Sequence, residues 1–208
     1  MLRYGGRRHD LCGRFDDQYI AGASRSGFYN LTINLSNGAT VTFQLKPLPA
    51  TGVEAALEKA KHYRLLNEPM QAESICLDIL EVEPTNKDAI ITLILALTDQ
   101  FDRRLAARYS QCKDLITRLS DPYTHNYYAG IVAERRAIAH MKQNTPGSPH
   151  IAYDWFLEAM ERYEKAARDR PARDDSAILR WNTCARIINE HPNVRPEPDQ
   201  PYVPQIEG

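Results

Sequence analysis

Hydrophobic positions recur along this chain with two different periods. Tyr29, Leu31, Ile33 and Leu35 alternate with Asn30, Thr32 and Asn34; beyond a turn, Val41, Phe43 and Leu45 alternate with Thr42 and Gln44. A period of two gives each segment one apolar face and predicts two strands. A three-residue loop, Ser36-Asn37-Gly38, pairs Leu31 with Phe43 and Ile33 with Val41, which keeps the apolar residues on one face and gives Gly38 the left-handed position. A two-residue Asn37-Gly38 loop mixes the faces. A lone hairpin is marginal in water, so the face needs a cover: a third strand near residues 18–23, the helices that follow, or another chain.

From Val53 to about Glu190 the period changes to that of a helix. Breaks fall at residues 67–69, 83–86, 120–122, 144–149 and 171–173, each containing proline. Residues 1–50 therefore read as a small β segment rich in glycine, 51–190 as a helical domain, and 191–208 as a tail. Prolines at 192, 196, 198, 201 and 204 favour extended or polyproline II chain in that tail, either loose or laid along a surface.

Within the helical zone one pattern repeats. Ala72, Cys76, Ile79 and Pro84 have the same spacing as Ala159, Tyr163, Ala166 and Pro171. Ahead of the first set, Ala56, Ala60 and Tyr63 line one helical face. This resembles the tetratricopeptide repeat, a helix–turn–helix unit of about 34 residues in which small residues let two antiparallel helices approach and a proline closes the second. Units run from 53 to 86, from about 87 to 122 and from about 123 to 172. A final helix, with Asp174 or Asp175 to cap it and Ile178, Trp181, Ala185 and Ile188 as its buried stripe, covers the end. Ala72 and Ala159 are 87 residues apart where two periods need about 68. The excess is assigned to the loop 143–150 and to a long helix before it. The resemblance covers about two thirds of the chain and implies a mainly α, solenoid-like fold.

It also implies a function. In that family the first helices of the units line a surface that binds peptides or protein segments. The positions expected on it are Leu57, Lys61 and Arg64 in the first unit, Thr92, Leu95 and Asp99 in the second, and Tyr127, Tyr128, Arg135 and Arg136 in the third. The Lys/Asn/Arg clamp that some members use for a C-terminal carboxylate has no counterpart here, since Leu57, Glu58, Asp88 and Thr92 stand at the relevant places. A mixed apolar and basic lining suits an acidic or amphipathic segment. The expectation is a non-catalytic adaptor or scaffold; small three-repeat chaperones of bacterial secretion resemble it in size and layout. The alternative makes the β segment the partner-binding module, by strand addition or oligomerisation, with the helices presenting it.

Composition narrows this further. Apolar and charged fractions of 43% and 25% are those of an ordinary globular protein. A formal charge of −1 argues against a dedicated nucleic-acid binder. No apolar run approaches the ~18 residues of a membrane span, and MLRYGGRRHD lacks the apolar segment of a secretory signal. Four scattered cysteines, none in a CxxC, suit reduced thiols in a cytoplasmic protein. His9-Asp10 with Asp16-Asp17 lacks the further ligands of a metal-bound hydrolase, and His9 with Cys12 supplies two of the four ligands of a structural zinc site. There is no phosphate-binding glycine loop and no nucleophile elbow. No enzyme, metal or cofactor is expected. The histidines and Trp181 read as surface and core residues, and Arg103-Arg104 as solvated charge or groove lining.

Overall fold

The computed structural model describes residues 30–34, 40–143 and 145–198. The chain divides after Pro47 into two units. In the first, strands β1 (Asn30–Asn34) and β2 (Thr40–Gln44) pair antiparallel, with Leu31 opposite Phe43 and Ile33 opposite Val41. The turn expected at Ser36-Asn37-Gly38 and the third strand expected near residues 18–23 lie outside the described residues.

The second unit is helical. Its helices are α1 (Val53–Leu65), α2 (Pro69–Val82), α3 (Lys87–Thr98), α4 (Phe101–Ile116), α5 (Pro122–Gln143), α6 (Ser148–Arg168) and α7 (Ser176–Glu190). Local chemistry sets most of their ends. Helix α1 stops at Asn67, whose φ of 59° is left-handed, a conformation asparagine tolerates better than most residues. There the Asn67 N–H bonds the Arg64 carbonyl and the Glu68 N–H the Tyr63 carbonyl, which closes the last turn. Pro69 and Pro122 open α2 and α5 where a missing N–H costs nothing. Asn86 Oδ1 accepts from the Ala89 N–H at 2.9 Å, and Asp121 Oδ2 accepts from the Thr124 N–H at 2.8 Å. At α7, Asp174 Oδ1 accepts from the Ser176 N–H at 3.0 Å while Asp175 makes no side-chain cap. Pro84 ends α2, since it cannot continue the ladder.

Each helix packs on the next, and α1 also touches α3, as α3 touches α5. The small residues sit where the crossings need them: Ala60, Ala72 and Ala159 are all fully buried. The closest approach is between α5 and α6. A methyl group on Gly130 would lie 2.5 Å from the Tyr163 ring, so only glycine fits beneath that tyrosine. Helix α5 is walled in on two sides. Val132 and Ala139 join a cluster with Ile90, Ile94, Leu97 and Phe101, whereas Ile131, Ala133 and Ala137 join one with Phe156, Tyr163, Ala177 and Cys184. Burying each of these larger side chains contributes roughly 1.5–3 kcal/mol against water.

Two sequence expectations change here. Residues 148–150 are already the first turn of α6, so the extra length between Ala72 and Ala159 resides in two long helices of 22 and 21 residues rather than in a loop over 143–150. Gly147, at φ 83°, turns the chain into α6. The buried line of α7 is Ala177 and Cys184; Trp181, Ala185 and Ile188 are half-buried and Ile178 is exposed. The stripe is rotated by one position because the helix enters through Asp174, which is tied to α5 by the Tyr123 hydroxyl at 2.6 Å. The chain after α7 is also anchored: Val194 is buried against α6 and its neighbours, and the Arg195 carbonyl lies 2.8 Å from His150 Nδ1.

Candidate functional site

The residues that α1, α3 and α5 bring together form a cleft of about 480 Å³. Arg64 stands in the last turn of α1, where the Asn67 turn fixes its direction. Asp99 caps the end of α3, its N–H bonded to the Leu95 carbonyl. Arg135 projects from the middle of α5. Arg64 Nε donates to Asp99 Oδ2 at 2.9 Å, and Arg135 Nη1 donates to Asp99 Oδ1. One carboxylate thus holds two guanidiniums, one on each oxygen. Arg135 is steadied independently by the Thr98 hydroxyl at 2.6 Å and the Leu95 carbonyl at 3.2 Å. Phe101, Ile138 and Ala139 supply apolar lining, and Asn67, Asp102 and Lys142 complete the cleft. The three paired side chains are 21–23% exposed, reachable from solvent but partly dried.

Of the ten positions expected on a binding surface, Arg64, Asp99 and Arg135 meet in this cleft. Lys61 lies on the exposed face of α1, paired with Glu58 at 2.9 Å. Leu57 and Thr92, expected to be exposed, are buried at 8% and 4% exposure. Leu57 belongs to the stripe Val53, Leu57 and Ala60 that packs α1 down, and α3 is enclosed on nearly every side. Leu95, Tyr127 and Tyr128 are half-buried and pack into the cores. The adjacent arginines part company. Arg136, about 100° further round α5, leaves the cleft and lies 4.0 Å from the ring centres of both Tyr109 and Trp155. It acts there as a clasp between α4, α5 and α6.

Lys142, Ile138, Asn67, Thr98, Phe101, Ala139 and Asp102 were not singled out from the sequence. Ile138, Ala139 and Lys142 follow Arg135 by three, four and seven residues, the spacing of one helical face, so that signal was readable once Arg135 was chosen.

Comparison with protein-family models, curated proteins and solved structures gave no match. Among the described residues no group of three or more His, Cys, Asp or Glu is placed to hold a metal ion, and no helix is long and apolar enough to cross a membrane. His9, Asp10, Cys12, Asp16 and Asp17 lie outside the described residues. Cys76, Cys112 and Cys184 are buried, and desolvation pushes each thiol up to about 12, far from a reactive thiolate.

A second polar cluster is internal. Glu134, on α5, is 5% exposed. It accepts the Tyr163 hydroxyl at 2.5 Å and Arg180 Nη1 at 3.0 and 3.1 Å. Burial, and then Glu134, push the Tyr163 hydroxyl well above the ordinary tyrosine value. Burial opposes the charge of Arg180, but Glu134 outweighs it and holds the guanidinium ionised. This cluster ties α5, α6 and α7 together.

His140, near the end of α5, titrates in the opposite sense. Burial, with Arg136 nearby, lowers its pKa below the usual 6.5, and Gln143 offsets this only in part. The folded chain therefore resists protonation that the unfolded chain accepts. Its contribution is present above about pH 6.5 and is lost as pH falls from there toward the folded value. The melting temperature should fall between pH 7.5 and 5.5, and His140→Phe should lessen that fall; an unchanged slope would refute the assignment.

Proposed function

We propose that this chain is a non-catalytic adaptor, built as a tetratricopeptide-like array of helix pairs, that holds a segment of a partner protein in the cleft between Arg64, Asp99 and Arg135. One observation carries the reading: four polar contacts, two of them in the cleft, join residues at a sequence offset of 34 to 36. Arg64 meets Asp99 35 residues on, and Asp99 meets Arg135 36 residues on. Glu73 meets Arg108 35 residues on, and the Pro84 carbonyl meets Arg118 34 residues on. An offset close to the ~34-residue period is what stacked repeats require. The alternate helices α1, α3 and α5 lie side by side, and residues from each line the cleft. A protein segment is the fitting occupant, since extended chain offers both carboxylates for the arginines and apolar side chains for Phe101 and Ile138. A cytoplasmic setting accords with three unpaired, buried thiols.

The test is a pull-down of the protein that co-purifies with the full chain, with its contact site mapped by a photo-crosslinker at Lys142. Arg64→Glu with Arg135→Glu should reduce capture at least tenfold while deletion of residues 1–47 leaves it intact. Capture that survives the double reversal but disappears with the deletion would transfer the function to the β segment.

A further inference from the structure

We propose that Asp99 is a built-in occupant of the cleft, and that the ligand is an acidic protein segment whose side-chain carboxylate takes its place between Arg64 and Arg135. This rests on the adaptor reading above and specifies the chemistry of its partner.

The geometry of the two arginines carries the argument. A guanidinium presents five N–H donors in a planar fork that suits a bidentate carboxylate. Arg64 reaches Asp99 through Nε alone, and Arg135 reaches it through Nη1 alone. Among the described residues, both Nη groups of Arg64, and Nε and Nη2 of Arg135, have no hydrogen-bond partner. Asp99 therefore bridges the pair, offsetting one of its two charges, without saturating its donors. The unused donors give an incoming acidic side chain hydrogen-bonding positions that Asp99 leaves empty.

Displacement also leaves the backbone unchanged. Asp99 lies on the short connection between α3 and α4, where its backbone N–H is already held by the Leu95 carbonyl. Turning its side chain to solvent breaks the two ion pairs but leaves that backbone hydrogen bond in place. Arg135 keeps its bonds to Thr98 Oγ1 and the Leu95 carbonyl when Asp99 leaves, so one half of the site stays in position. Charge points the same way. The cleft carries Arg64, Arg135 and Lys142 against Asp99 and Asp102, a surplus of one positive charge that becomes two once Asp99 swings out. Ile138 and Phe101 favour an apolar residue beside the incoming carboxylate. With a carboxylate already present and the cleft's one aromatic ring, Phe101, 3% exposed, the site lacks the stacking surface and the strong basic excess that nucleic acid demands.

The test uses the full chain and a fluorescein-labelled, amidated peptide of alternating glutamate and leucine, read by anisotropy. The same peptide with a free C-terminus separates side-chain from terminal carboxylates, and a glutamine–leucine peptide controls for apolar binding. Asp99→Asn removes the competing charge and should tighten the glutamate peptide about tenfold, with the glutamine peptide unaffected and the gain shrinking in high salt. Asp99→Ser should behave alike, and Arg135→Gln should abolish binding in both backgrounds; melting curves verify that each variant is folded. Unchanged or weaker binding by Asp99→Asn, equal binding of the two peptides, tighter binding only of the free C-terminus, or no binding by either wild type or Asp99→Asn would overturn the proposal. The two readings fail separately: partner capture that survives the double arginine reversal sinks the adaptor, whereas an unchanged Asp99→Asn affinity sinks only the displacement.

Discussion

Tyr163→Ala should lower the stability of the helical unit by about 3–5 kcal/mol, the range for removing a fully buried aromatic ring. For a chain of this size that is a fall in melting temperature of roughly 6–20 °C. Two effects combine. The ring fills the space over Gly130 and packs beside Tyr127, with ring centres 6.1 Å apart. Its hydroxyl is also one of the partners of the buried Glu134. Tyr163→Phe separates them: it keeps the ring and removes the hydrogen bond, at about 1–3 kcal/mol. Gly130→Ala should cost about 1–3 kcal/mol in the wild type, because the new methyl group meets a ring with no room to retreat. In the Tyr163→Ala background the same change should be neutral or favourable, since the methyl then enters vacated space. A denaturant melt of the four chains measures the coupling directly. Additive effects would show that the ring and the glycine do not share the site.

Arg180→Met should be nearly as damaging. It leaves the Glu134 carboxylate buried with only the Tyr163 hydroxyl for company. Severing one side of a buried pair costs about 3–5 kcal/mol, and the lower end applies because Arg180 is itself a third exposed. The pH dependence identifies the mechanism. An unpaired buried carboxyl binds its proton more tightly in the folded chain than in the unfolded one, so folding is favoured as pH falls. The deficit of Arg180→Met relative to wild type should therefore shrink between pH 7.5 and 5. Replacing both partners, Glu134→Met with Arg180→Met, should recover most of the loss at pH 7.5. A deficit that is constant with pH and unrelieved in the double variant would mean that Arg180 acts through its methylene packing alone.

Much of the helical layout could be read from the residues that stop helices. Pro69, Pro84 and Pro122 mark ends that the structure also shows, and the spacing of Ala60 and Ala72 located a true crossing. The break between α3 and α4 was not marked, for a physical reason. It contains neither proline nor glycine; Gln100 turns the chain with ordinary negative-φ geometry. Yet that break puts Asp99 into the cleft. Which face a helix shows was also legible only to within one residue, and one residue is about 100° of rotation. Hence Arg135 reaches the cleft while Arg136 clasps Tyr109 and Trp155. Leu57 sank into the core because Val53 and Ala60, one turn away on either side, had already committed that face to packing. Local pattern fixes where a helix runs; contacts between distant helices, such as the reach from Glu134 to Arg180 across 46 residues, decide what its sides do.

Helix α5 belongs to two clusters at once, and this governs how the protein comes apart. Strings of identical modules peel from either tip because each link depends only on its neighbours. Here a long central rod is common property of both halves, and the rods at either extremity are anchored in one or other of its two clusters, so a single concerted melt is the expected behaviour.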